Sequence, residues 1–179
     1  MPYELDNRLV IGVASSAVFD LSESDAVFRR EGEEQYREYQ EKNLEVPLPK
    51  GITFPFIKRL LALNDVSPSP EDPLVEVVLL SRNDPDTGLR VMKTIEHYGL
   101  GITRAIFMQG RSPYEYIPAL NIALFLSGHK PDVEAAIGSG HPAGQVLDSM
   151  FDDDEDDQTL RIAFDFDGVL AGDESESVM

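Results

Sequence analysis

Leu74-Val75-Glu76-Val77-Val78-Leu79-Leu80-Ser81 is the stretch on which the fold turns. The run is apolar almost without interruption. A strand covered by helices on both faces reads this way, whereas a strand with one wet face alternates. Its flanks agree. Ser67-Pro68-Ser69-Pro70-Glu71-Asp72-Pro73 before it has the composition of a loop. Asp86 to Tyr98 after it reads as a helix, with Gly99 where a C-cap glycine belongs. The run predicts the central strand of a parallel α/β sheet.

Working outward, the same alternation recurs. Leu9-Val10-Ile11-Gly12-Val13 reads as a first strand within Arg8–Ala14, followed by a loop over Ser15–Asp20. Ser24 to Asn43 reads as one charged helix capped by Ser24, with Val27, Phe28, Tyr36 and Tyr39 on one face. Pro47-Leu48-Pro49-Lys50-Gly51 breaks it, and Phe54 to Leu63 is a short apolar helix. Further strands are expected at Ile102–Met108, Ile122–Leu126 and Val146-Leu147. Helices are expected at Ser112–Leu120 and Lys130–Ile137, the latter ended by Gly138-Ser139-Gly140. Strands alternating with helices predict an α/β, Rossmann-like parallel sheet flanked by helices.

Composition narrows the function classes. The chain has 179 residues, room for one domain or one domain plus a fragment of another. It has no cysteine, which excludes disulfides, zinc–thiolate sites and a thiol nucleophile. A formal net charge of -18 repels nucleic-acid backbones and anionic membranes. Met1-Pro2-Tyr3-Glu4-Leu5-Asp6 lacks the basic and apolar regions of a signal peptide, and no apolar run reaches membrane-spanning length. The expectation is a cytoplasmic protein with neither a nucleic-acid nor a membrane partner. Phe151-Asp152-Asp153-Asp154-Glu155-Asp156-Asp157 lacks the glycine and spaced glutamate of a calcium loop, and reads as a disordered, solvated linker. The expected organisation is an α/β unit over 1–150, a linker over 151–159 and the start of a second unit over 160–179.

The chemistry concentrates after that linker. Leu160-Arg161-Ile162-Ala163-Phe164 has strand length, and it leads into Asp165-Phe166-Asp167-Gly168. Alternation along an extended chain sends Asp165 and Asp167 the same way, so they can share one ion or one phosphoryl group. Two carboxylates beside substrate phosphate oxygens suit Mg²⁺. On spacing alone the same tetrapeptide is also an ordinary turn. An echo accompanies it: Ile11-Gly12-Val13-Ala14-Ser15-Ser16-Ala17-Val18 lies apolar-on-apolar beside Ile162-Ala163-Phe164-Asp165-Phe166-Asp167-Gly168-Val169. The echo sets Ala14 and Ser16 opposite Asp165 and Asp167, and alanine cannot attack phosphorus. The 1–150 unit is therefore expected to be catalytically silent.

Arg161 to Leu170 with Asp173-Glu174-Ser175-Glu176 resembles the first catalytic motif of the cytosolic 5′-nucleotidase I family, which is similar to the haloacid-dehalogenase-like phosphohydrolases. Val13 to Asp20, Val77 to Asn83, Ile95 to Leu100 and Gly110-Arg111-Ser112-Pro113-Tyr114 resemble further segments of that family, so the likeness runs over nearly the whole chain. It implies Mg²⁺-dependent hydrolysis of nucleoside 5′-monophosphates. It also implies Asp165 as nucleophile, Asp167 as general acid and base, and both as metal ligands. Arg82 and Asn83, just past the central strand, are the candidate substrate contacts. His97, near a helix end, reads as structural or solvent-facing; His129 and His141 are loop residues without metal-ligand spacing, and Arg111 reads as a surface residue.

The lysine and acidic pair that such phosphohydrolases carry after the first motif are not found between Gly168 and Met179. Within the first unit, Tyr116-Ile117-Pro118-Ala119 offers no lysine and Leu126-Ser127-Gly128 no acidic pair. The expectation is a silent N-terminal half plus the first catalytic strand, hydrolysing poorly alone. Its partner is then a second copy or a separate C-terminal half. The competing classes are a non-catalytic half that pairs with and regulates an active unit, and an acidic metal-binding protein.

Overall fold

The computed structural model describes residues 5, 7–148, 153–154 and 156–165. Five strands form one sheet: β1 (Leu9–Ala14), β2 (Val75–Ser81), β3 (Arg104–Phe107), β4 (Leu124–Ser127) and β5 (Ala143–Gln145). All pair in parallel, in the order β3-β2-β1-β4-β5. The helices are α1 (Ser15–Val18), α2 (Ser22–Glu31), α3 (Glu33–Lys42), α4 (Phe54–Leu61), α5 (Pro85–His97) and α6 (Lys130–Gly138). The α/β fold read from the sequence is the fold observed.

Every residue of β2 is buried, as its apolar run requires. Alternation splits the sheet into two faces. Ile11, Val13, Val75, Val77 and Leu79 meet Phe54, Ile57 and Leu60 of α4 and Val91 and Ile95 of α5. Val10, Val78 and Leu80 meet Ile117, Ile122, Phe125 and Ala136 on the other side. Each such aliphatic side chain contributes about 1.5–3 kcal/mol by leaving water. The exception in β2 is Glu76, which is buried and ion-paired with Arg104 of β3.

Local chemistry sets the element ends. Asp84 caps α5 by accepting the Thr87 N–H at 2.8 Å, Pro85 opens the helix, and Gly99 follows its end at φ +63°.

Several expectations change. The single helix over Ser24–Asn43 is two helices, because Gly32 breaks it at φ +90°. Ser24 is not its cap; it lies buried in the first turn of α2, as its third residue. Ser15–Val18, read as loop, is one helical turn. The last strand is Ala143–Gln145 rather than Val146-Leu147, since it is the former that pairs with β4. Leu160–Phe164, expected as a strand, has no strand partner among the described residues. It runs as coil, with Ile162 and Phe164 exposed and Leu160 packed against the core. The described part of the acidic tract is not freely solvated: Asp153, Asp154 and Asp157 surround Arg59 of α4.

Candidate functional site

Where an open parallel sheet reverses its strand order, the loops after neighbouring strands part and leave a crevice. Here the reversal falls between β1 and β4. A cleft of about 900 Å³ opens there, at the C-terminal ends of β1, β2, β4 and β5. Its floor is made of small residues. Ala14 ends β1 and Ser15 and Ser16 open α1, Ser81 ends β2, and Ser127 ends β4 with Gly128 after it. Ser15 and Ser81 are buried, with their hydroxyl oxygens 3.0 Å apart. Ser81 Oγ also accepts the Asn83 N–H at 3.1 Å, and Ser127 Oγ accepts the His129 N–H at 3.0 Å.

The rim is built around Asp132, buried in the first turn of α6. Arg82 Nε donates to Asp132 Oδ2 at 2.9 Å and Arg82 Nη2 donates to Oδ1. Ser112 Oγ donates to Oδ1 at 2.5 Å, and His129 Nδ1 lies 3.2 Å from Oδ2. Burial pushes the Asp132 pKa up, but the hydrogen bonds from Arg82 and Ser112 outweigh it, so the carboxyl lies below its ordinary value. The Arg82 pKa is raised by its hydrogen bonds to the same carboxylate. Arg82 Nη1 donates to the Gly110 carbonyl at 2.9 Å, so this guanidinium ties β2, the loop after β3 and α6 together. Across the cleft, Gly51 donates its N–H to Val18 O at 2.8 Å and Asp20 donates its N–H to Pro49 O at 2.9 Å, bringing Lys50 to the wall.

Of the predicted site residues, Arg82 and Asn83 line this cleft. Asp165 is exposed at the end of the described tail and is not among the cleft residues. Asp167 lies outside the described residues. Among the described residues, no group of three His, Cys, Asp or Glu is placed to hold a metal. Sequence reasoning missed Ser15, Ser127 and Asp132. A serine directly after a predicted strand was the available signal for the first two. Little local marked Asp132: His129 is three residues away, but the hydrogen-bond donors Ser112 and Arg82 lie 20 and 50 residues away.

A family model described as 5′-nucleotidase matches residues 1–179. The chain is 34% identical over 179 residues to cytosolic 5′-nucleotidase 1B of Homo sapiens, covering 98% of this chain and 29% of that protein. It thus spans about three tenths of the length of this curated relative. Among solved structures, it is similar to the HAD domain of the Legionella pneumophila effector protein Lem4, an inactive mutant. The TM-score is 0.45 and the identity 13%, over 80% of this chain and 88% of that one.

Proposed function

The chain belongs to the 5′-nucleotidase family, and on that premise we propose that it serves the hydrolysis of nucleoside 5′-monophosphates to nucleoside and phosphate, in the cytoplasm. The observation that carries the reading is the family match along the whole chain, including Asp165-Phe166-Asp167-Gly168. No helix among the described residues is long and apolar enough to cross a membrane.

In this reading the Asp165 carboxylate attacks phosphorus, forming an aspartyl-phosphate as the ester bond to the ribose oxygen breaks. Asp167 gives its proton to that leaving oxygen. It then takes a proton from water as the water attacks the aspartyl-phosphate, releasing phosphate and restoring Asp165. The donor set, two carboxylates two residues apart, has the hard-oxygen chemistry that Mg²⁺ accepts. Held by Asp165 and Asp167, Mg²⁺ would supply charge neutralisation at the phosphoryl oxygens. The 1–150 unit is the silent partner of this chemistry: Ala14 ends its first strand with Ser16 just beyond, and Arg82 and Asn83 line its own cleft as contacts to a nucleotide.

The test is phosphate release from AMP in the presence of Mg²⁺. Release by this chain alone is expected to be low, and Asp165→Asn is expected to abolish what there is. Turnover that survives the substitution would overturn the assignment.

A further inference from the structure

The cleft over the silent unit holds more hydrogen-bond donors than the protein provides acceptors for. Ser15 and Ser81 share one hydrogen bond between two hydroxyls, so one O–H proton of the pair is left over. The Ser127 hydroxyl accepts from His129, and its own proton has no acceptor among the described residues. Asn83 Nδ2 is buried without a hydrogen-bond partner. Ser15, Ser81 and Ser127 are at least nine-tenths buried, and all four residues line the cleft. Buried donors in folded proteins are normally satisfied, so a group of them without acceptors calls for one from outside.

We propose that this cleft binds a phosphate monoester without hydrolysing it. The donors sit at the ends of β2, β1 and β4, which are neighbours in the sheet. Two strand spacings amount to about 10 Å. A phosphoryl group with a hydrogen bond of about 2.8 Å on each side comes close to filling that gap. Its oxygens, spread around one phosphorus, can accept hydrogen bonds from several strand ends at once. The substitutions that silence the unit also suit it to this task. With Ala14 and Ser16 where the echoing segment has Asp165 and Asp167, the floor carries no carboxylate to repel a dianion. Lys50 and Arg29 stand on the walls as cations; Arg82 is paired with Asp132, and Asp20, Asp25 and Asp148 stand there too.

The inference is independent of the chemistry assigned to Asp165, and the experiment keeps the two apart. Inorganic phosphate and AMP are titrated calorimetrically into the chain in EDTA. Saturable, metal-free binding of AMP is expected, and Asp165→Asn leaves it unchanged. Ser81→Ala combined with Ser127→Ala weakens it about tenfold or more. The near-isosteric Asn83→Asp, which replaces a donor by a negative charge, and Ala14→Asp abolish it in protein whose unfolding midpoint shows it folded. Absence of saturable binding overturns the proposal. So does binding that Asp165→Asn removes while the serine substitutions spare it. Inorganic phosphate that binds with the same serine dependence supports the phosphoryl group as the recognised part.

Discussion

Arg59 on α4 donates to Asp153 Oδ1 at 2.8 Å, across 94 residues of chain, with both side chains largely buried. The same guanidinium donates to the carbonyls of Asp154 at 3.0 Å and Asp157 at 2.7 Å. One cation thus gathers Asp153, Asp154 and Asp157 onto α4. Arginine suits this because its planar fork serves several acceptors at once, which an ammonium does not. Beyond it Leu160 packs on the core, and Asp165 follows five residues later. The Asp157 carboxyl is held well below its ordinary range by Arg161 and by the Thr159 N–H.

Arg59→Ala is therefore expected to release the tail without unfolding the sheet. Loss of a charged hydrogen-bonding partner of this kind costs about 1–3 kcal/mol. Amide exchange at Asp156, Asp157 and Thr159, whose N–H groups are hydrogen-bonded within the tail, is expected to quicken, with β2 unaffected. Unchanged exchange in the tail would show that Leu160 alone anchors it.

Asp132 links the same fold to pH. Its pKa is lowered on folding, so its contribution is fully present above the ordinary carboxylate value of about 3.9 and is lost as pH falls through the folded value. Asp132→Asn is expected to cost about 1–2 kcal/mol at pH 7, a figure discounted because Arg82 is partly exposed. In urea unfolding at pH 3 the difference between the two proteins should shrink. A difference that is constant from pH 7 to pH 3 would mean that the Asp132 charge contributes nothing.

What was legible in the sequence follows from the range of the forces involved. The burial of β2 shows in its own residues, because a strand covered twice must be apolar at every position. The end of α5 shows in Gly99. The break between α2 and α3 is written in Gly32, but the charge pattern runs on through it and hides the break. Leu160–Phe164 has the composition of a strand, yet pairing depends on an available edge that no local pattern reports. The cleft was half legible. Arg82 and Asn83 were placed by their position after β2, but the Ser15–Ser81 contact joins residues 66 apart and emerges only when β1 and β2 lie in register.

Gly51 makes a prediction of its own. A Cβ there would lie 2.9 Å from Phe19 N and from the carbonyl carbon and oxygen of Val18. These are backbone atoms and cannot rotate away. Gly51→Ala is expected to destabilise the protein by about 1–3 kcal/mol by prising Pro49–Gly51 from the end of α1. Gly128→Ala, whose Cβ would meet its nearest atom at an ordinary 3.6 Å, serves as the control and should change stability little. Equal effects of the two would refute the close-approach argument.

Gly88 in α5 offers a second kind of close contact, with a side chain on the other side. A Cβ at this position would fall 2.4 Å from Phe107 Cε1 and 2.6 Å from Cδ1, so the ring of β3 lies directly on the helix backbone. Glycine inside a helix ordinarily costs about 1 kcal/mol relative to alanine, so Gly88→Ala should stabilise if helix propensity decided the outcome. The clash decides it instead, because the ring, packed against the core, must give up contacts to make room, and overpacking costs about 1–3 kcal/mol. Phe107→Leu alone is expected to lose about 1 kcal/mol or more of packing. Combined with Gly88→Ala it should lose less than the sum of the two, because the smaller side chain makes room for the new methyl group. Additive effects in chemical unfolding would place the strain elsewhere in α5.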